Sequence, residues 1–204
     1  MDRLSKSAIR VPGLEVRVVE RCTSTNGVLL AGPVAHPVLL AAEAQTAGRG
    51  RRGRKWRSAP GKGATFSILL RMRCTPAALV GLPVAVGVAA ARALRGLGAR
   101  GVTLKWPNDL MAQRRKLGGI LIETRSSSAG TTLVVGIGIN CHRQLRLQTR
   151  LGRGVASLDE LLRQPVARNA VIGAVGRAVL AALADWERAR AGHAPDPRLT
   201  ARAA

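Results

Sequence analysis

The sequence predicts an α+β domain built on a mixed, largely antiparallel sheet with packed helices. Strand-like runs crowd the chain as far as Asn140, and short polar turns join several of them as in hairpins. Two long stretches of helical periodicity, after Thr75 and after Pro165, do not alternate regularly with the strands. A hydrophobic content of 47% over 204 residues is enough for one sizeable core. The expected layout is an N-terminal extension over 1–13, one domain over 14–191, and a flexible Pro-, Arg- and Ala-rich tail over 192–204.

The elements follow in order. LEVRVVER, Leu14 to Arg21, alternates as a strand, and Ser24 or Thr25 caps a short helix through Leu30. PVLLAAEAQ, Pro37 to Gln45, is apolar almost throughout and suits a strand buried on both faces. It leads into AGRGRRGRKW, a loop. ATFSILLRM, Ala64 to Met72, alternates again. Thr75 and Pro76 supply the cap and first turn of a helix reaching Gly96 to Gly98, with Pro83 as a point of kinking or division. VTLKW (Val102 to Trp106), a turn at PND, polar Gln113 to Arg115 and KLGGILIET (Lys116 to Thr124) read as strand, turn, strand. TLVVGIGIN, ending at Asn140, completes the sheet, and helical periodicity marks Ser157 to Arg163 and Pro165 to about Arg190.

A net charge of +22 predicts attraction to polyanions such as nucleotides, nucleic acid or acidic proteins, although codon bias would equally scatter arginines. No Asp or Glu occurs between Glu43 and Asp109, where the glycine-arginine loop lies. Cys22, Cys74 and Cys141 are too dispersed for a disulfide framework or a metal knuckle, which fits a reducing cytoplasm. The N-terminus lacks a signal-peptide core, and the apolar run Ala77 to Ala91, with its Pro83, reads as a buried helix rather than a membrane span.

The loop fits G-x-G-x-x-G at Gly48, Gly50 and Gly53. A dinucleotide loop would open a helix and place an acid about 20 residues on, whereas RKWRSAPGKG follows here. A phosphate loop of the Gly-Lys-Ser/Thr kind fails because Gly53 precedes Arg54, Lys55 and Trp56. A nucleic-acid patch stays open, since arginines track phosphates and Trp56 can stack on a base. Polar clusters at other strand ends favour a small-molecule pocket instead: TSTN (Thr23 to Asn26), KWPNDL (Lys105 to Leu110), KLGGIL (Lys116 to Leu121) and GIGIN (Gly136 to Asn140).

With GRGRRGRKW, in this order, these motifs resemble the catalytic domain of biotin protein ligases, also called biotin–[acetyl-CoA-carboxylase] ligases, from about Leu14 to Arg190. The resemblance implies a biotin/lipoate ligase-like fold and two reactions. Biotin and ATP, with Mg²⁺, would give biotinyl-5′-AMP and pyrophosphate, and biotin would then pass to a lysine of a biotin carboxyl carrier domain. It implies that Ser24, Thr25, Asn26 and Gln45 hold the ureido end of biotin, that Gly48, Arg49, Gly50 and Arg51 line its length and carboxyl end, and that Gly119 and Leu121 complete the wall. Gly118 is expected beside Gly119 against the ligand. Lys116 is the implied catalytic residue, bridging the biotin carboxylate and the α-phosphate. Arg51, Arg54, Trp56, Lys105, Asn108, Asp109 and Asn140 are implied on the nucleotide side, with Asp109 a candidate for meeting Mg²⁺. With about a dozen residues before the first strand and no strand pattern after Gly192, neither a helix-turn-helix domain nor an SH3-like barrel is expected. Specific DNA binding and membrane association are therefore not expected either, and a homodimer is compatible with the family. Cys141 beside His142 is expected to be incidental, since an amine attacks the acyl phosphate directly.

Overall fold

A computed structural model describes residues 2–32, 36–72, 74–127, 130–144 and 154–191. The first strand β1 (Glu15–Cys22), helix α1 (Thr25–Ala31) and strand β2 (Val38–Gln45) form a parallel crossover unit, with Val16 opposite Leu39 and Arg21 opposite Ala44. Ser24 caps α1 as its residue type predicts, its hydroxyl accepting from the Gly27 amide at 3.4 Å. Then come β3 (Gly63–Met72), α2 (Leu82–Gly96), β4 (Thr103–Lys105), β5 (Asp109–Ala112), β6 (Arg115–Ser127), β7 (Gly130–Asn140) and α3 (Arg168–Ala191). The seven strands lie in the order β1-β2-β3-β7-β6-β5-β4, and every pair after β1-β2 is antiparallel. The expected mixed, largely antiparallel α+β fold is what forms.

Strand alternation divides the sheet into two faces. Leu39, Ala41, Phe66, Ile68, Val135 and Ile137 join the main core under α2 and α3, with Leu82, Val86, Val171, Ile172 and Val175. Leu4, Ile9 and Val11 of the N-terminal extension are buried in the same core. The intervening residues Val38, Leu40, Leu69 and Val134 meet Leu29 of α1 on the other face. Among the described residues that second face carries no helix beyond α1, and there the site forms.

Four expectations change. The long helix after Thr75 divides at Gly81 (φ 89°) into a short 3₁₀ turn, Pro76–Leu79, and α2, so Pro83 sits in the first turn of a new helix instead of kinking one. The apolar segment is also longer than the run read from sequence: Pro76–Gly96 and Arg168–Arg190 are each long and apolar enough to cross a membrane by composition. In the fold, α2 and α3 send Leu82, Val86, Val171 and Ile172 into the core. Ser157 to Arg163 is a single 3₁₀ turn, Leu158–Glu160, capped by the Glu160 carboxylate, which accepts from the Ser157 amide at 3.1 Å while its other oxygen accepts from Arg143 at 2.7 Å. Finally, β5 is an additional strand hidden behind PND. Its four residues are too few to show a period, yet Leu110 and Ala112 are buried and pair it between β4 and β6. The expected tail lies outside the described residues.

The N-terminus is anchored by Arg168, whose side chain is 1% exposed. Its guanidinium donates to Asp2 at 3.0 Å and to Glu43 at 2.7 Å, and Glu43 also accepts from the Leu4 amide at 2.6 Å. Burial pushes the Glu43 carboxyl up, but these donors outweigh it and hold it below its usual value of 4.5.

Candidate functional site

On the open face of the sheet, Thr65, Gly119, Leu121, Gly136 and Gly138 help form the floor of a cavity of about 350 Å³. Two of these glycines are required by close approach. A Cβ at Gly136 would overlap the Asn26 amide, and one at Gly138 would overlap the Trp56 indole, which also lies 3.7 Å from a Cβ built at Gly119. The repeated glycines of GIGIN therefore seat a polar side chain and an aromatic one directly on the sheet. Gly138→Ala is expected to push the indole off its seat and cost about 1–3 kcal/mol of stability, read by urea unfolding. A variant with the wild-type midpoint would show that the ring does not depend on that space.

The glycine-arginine loop forms the roof. It is a small hairpin with its own backbone bonds: Trp56 N–H to the Gly48 carbonyl at 2.9 Å and Gly50 N–H to Arg54 at 2.7 Å, with Arg49 bridged to Lys55. Arg49, Gly50, Arg51 and Arg54 line the cavity, and Arg51 reaches Asn108 on the opposite wall at 3.5 Å. Asn108 is itself held by donating to the Ile120 carbonyl at 2.8 Å. Gly48 does not line the cavity. It backs the loop, where a Cβ would overlap the Trp56 carbonyl and the Gln45 amide nitrogen.

Lys116 reaches the cavity through a β-bulge. Met111 pairs with Lys116 but Leu110 pairs with Gly118, so Leu117 is an extra residue in β6. Lys116 thereby falls on the same face as Met111, Asp109 and Gly119. Its ammonium lies 2.6 Å from an Asp109 carboxylate oxygen and 3.6 Å from a Cβ built at Gly119. Its backbone is strapped by the segment 154–156: Lys116 N–H donates to Gly154 at 3.1 Å and Ala156 N–H to the Lys116 carbonyl at 2.9 Å. Lys105 lines the same wall with Trp106, which is 77% exposed at the rim.

At the other end, Gln45 Oε1 accepts from the Thr25 amide at 2.7 Å and faces its hydroxyl at 3.1 Å. Asn26 is 3% exposed and gives its amide hydrogens to the Leu121 carbonyl (3.2 Å) and to Glu123 (2.8 Å), while its oxygen accepts from Ser67 at 2.6 Å.

Nearly every implied site residue is thus brought to one cavity; Gly48, behind the loop, is the first of four corrections. Asn140 is 3% exposed and does not line it; its amide donates to the Lys116 carbonyl at 3.3 Å and to Ala156 at 3.2 Å, holding the strap. Gly118 faces away, where a Cβ would meet the Gly138 carbonyl and Leu110, so only Gly119 of the pair is under the ligand space. Asn26 lines the cavity but its polar atoms are spent within the protein, so it shapes the wall. Ser67 and Glu123 were not anticipated. A serine and a threonine on one face of an otherwise apolar strand, ATFSILL, were the available signal for the first. Cys141 remains outside the chemistry: burial pushes its thiol up to about 12, so it carries no thiolate at neutral pH.

An α+β sheet with its two long helices on one face and a glycine-floored, arginine-roofed cavity on the other, with a lysine aimed into it, defines a ligase-like catalytic domain. The chain belongs to the biotin/lipoate A/B protein ligase family, whose pattern matches residues 18–140. It is 40% identical over 154 residues to the bifunctional ligase/repressor BirA of Escherichia coli, covering 74% of this chain and 48% of that protein. It is 33% identical over 197 residues to the biotin–[acetyl-CoA-carboxylase] ligase of Mycobacterium tuberculosis, covering 90% of this chain and 70% of that one. Among solved structures, the biotin protein ligase from Aquifex aeolicus in complex with biotin and ATP superposes with a TM-score of 0.72 at 31% identity, over 85% of this chain and 72% of that one. The chain spans about half the length of the BirA relatives of E. coli and Salmonella typhimurium.

Proposed function

We propose that the chain is an ATP-dependent biotin protein ligase. It would activate biotin as biotinyl-5′-AMP with release of pyrophosphate, then transfer the biotinyl group to a lysine of a biotin carboxyl carrier domain. The observation that carries this reading is the position of Lys116, its ammonium already holding one carboxylate, that of Asp109, beneath a roof of arginines. A carboxylate attacking a triphosphate must approach against like charge, and cations preorganised in a closed cavity remove that barrier. In this reading the biotin carboxylate displaces Asp109 from Lys116, whose ammonium then spans the carboxylate and the α-phosphate. Arg51 attends the carboxyl end and, with Arg54, Lys105 and Asn108, the phosphates, while Arg49 is held by Glu123 at the ureido end. Trp56 offers the nucleotide an apolar surface. Thr25 and Gln45 offer neutral hydrogen-bonding groups to an uncharged ureido ring.

Mg²⁺ would enter with ATP. Asp109 is the one carboxylate among the described residues lining the cavity, which suits a cation held mainly by phosphate and water. Among the described residues no group of three His, Cys, Asp or Glu could hold a resident metal. In the second step the acceptor amine attacks the acyl carbonyl and AMP leaves with its charge held by the same cations, so no protein nucleophile is required.

Biotin-dependent exchange of pyrophosphate into ATP tests the first step, and labelling of a carrier domain tests the second. Absence of exchange, together with nucleic-acid binding that weakens steeply with salt, would overturn the proposal in favour of a nucleic-acid module.

A further inference from the structure

Glu123 lies on β6 two strand positions beyond Leu121, on the cavity face of the sheet but beyond the cavity wall. One of its carboxylate oxygens, Oε2, accepts from both the Asn26 amide and the Arg49 guanidinium, each at 2.8 Å. It therefore joins two parts of the site that are far apart in sequence: the start of α1, and the base of the arginine loop. Arg49 lies across the helix end, its guanidinium 3.7 Å from a Cβ built at Gly27.

The chemistry of a carboxylate gives this contact a direction. An ionised carboxylate only accepts, so it draws the nitrogen of the Asn26 amide and turns the oxygen toward Ser67. The Ser67 hydroxyl is fully buried, 2.6 Å from Asn26 Oδ1 and 2.6 Å from the Thr25 hydroxyl, and has one hydrogen to give. With Asn26 oriented, that hydrogen goes to Asn26. The Thr25 hydroxyl is left to donate, to Ser67 or to Gln45. Gln45 presents its oxygen to the Thr25 amide and hydroxyl, so its nitrogen is turned toward Gly48 at the foot of the loop. The senses of the bonds at Asn26 and Ser67 are thus set from the charged end, together with the Leu121 carbonyl, which also accepts from the Asn26 amide, while Gln45 is oriented by the Thr25 backbone amide; an inverted Asn26 amide would leave donors facing donors.

We infer that Glu123 is a positioning residue for the biotin end of the site: it orders the chain from Asn26 through Ser67 to the Thr25 hydroxyl and fastens the base of the arginine loop to the sheet. This rests on the biotin reading. A ligand head that is uncharged and carries both a carbonyl and N–H groups is sensitive to such ordering, because a reversed donor meets a donor.

Glu123→Gln keeps the shape and removes both the charge and the one-way character, since its amide can face either way. In pyrophosphate exchange the KM for biotin is expected to rise about tenfold or more, with kcat and the KM for ATP within about twofold and the urea midpoint retained. In an Asn26→Ala background the same substitution is expected to raise the biotin KM much less, because the chain is already broken. An unchanged biotin KM, a fall confined to kcat, or full additivity with Asn26→Ala overturns the inference. Should Glu123→Gln unfold, Glu123→Asp, which is too short to hold both partners, gives the same reading through the biotin KM. Lack of biotin-dependent exchange by the wild-type chain strikes the proposed function; wild-type exchange with an unaltered biotin KM in the variants strikes only the role of Glu123.

Discussion

Replacing Lys116 by alanine is expected to lower the rate of adenylate formation by about 10²- to 10³-fold, the scale on which single preorganised donors act on charge developing in a transition state. The loss should fall on kcat more than on either KM, because the arginines still attract both substrates. Stability should change by about 1 kcal/mol, for the Lys116–Asp109 pair sits at the cavity edge and the backbone strap at 154–156 does not involve the lysine side chain. Pyrophosphate exchange together with a melting curve checks both halves. Exchange at the wild-type rate removes Lys116 from the chemistry, whereas loss of exchange with loss of fold would mean that the side chain is structural.

The largest effect on stability is expected at Arg168. Its side chain is almost wholly buried between Asp2 and Glu43, and Arg168→Met leaves two acids in place without their cation. Breaking a buried pair in this one-sided way costs about 3–5 kcal/mol, a large share of the roughly 5–15 kcal/mol that holds a domain folded. The pH dependence separates this cause from simple loss of packing. In the wild-type chain, Glu43 is held below its ordinary 4.5, so its contribution is present above that value and is lost as pH falls below it. In the variant, burial without the guanidinium pushes the same carboxyl upward, so the variant recovers part of its deficit as pH falls toward 4.5. Urea unfolding at neutral pH and near pH 4.5 should show the gap narrowing; parallel curves would rule the acids out.

Much of this was legible in the sequence because it was written in local signals. Alternation placed β1 and β3, apolar runs placed β2, β6 and β7, the Ser24 cap placed α1, and Gly-Arg clustering marked the loop. What escaped depended on register or on distant partners. β5 spans four residues, only two alternations, so it vanished into the turn before it. Gly118 and Gly119 are adjacent and look equivalent, yet they face opposite sides of the sheet. Asn140 ends a motif that reads as ligand-binding, but its amide faces the 154–156 strap, a neighbour that nothing near position 140 announces. Glu123 carried no motif, and its importance rests on Asn26 and Arg49, which only folding brings beside it.

The bulge at Leu117 has a further meaning for how such a chain can drift. Between Leu110 and Gly119 the exposed turn residues can vary, provided that Lys116 and Gly118 stay and the strands still pair. Their number cannot: shortening the turn by a single residue would leave every motif readable and rotate the lysine into the helix layer. In this segment natural variation should be rich in substitutions and poor in insertions and deletions, with chain length itself under selection.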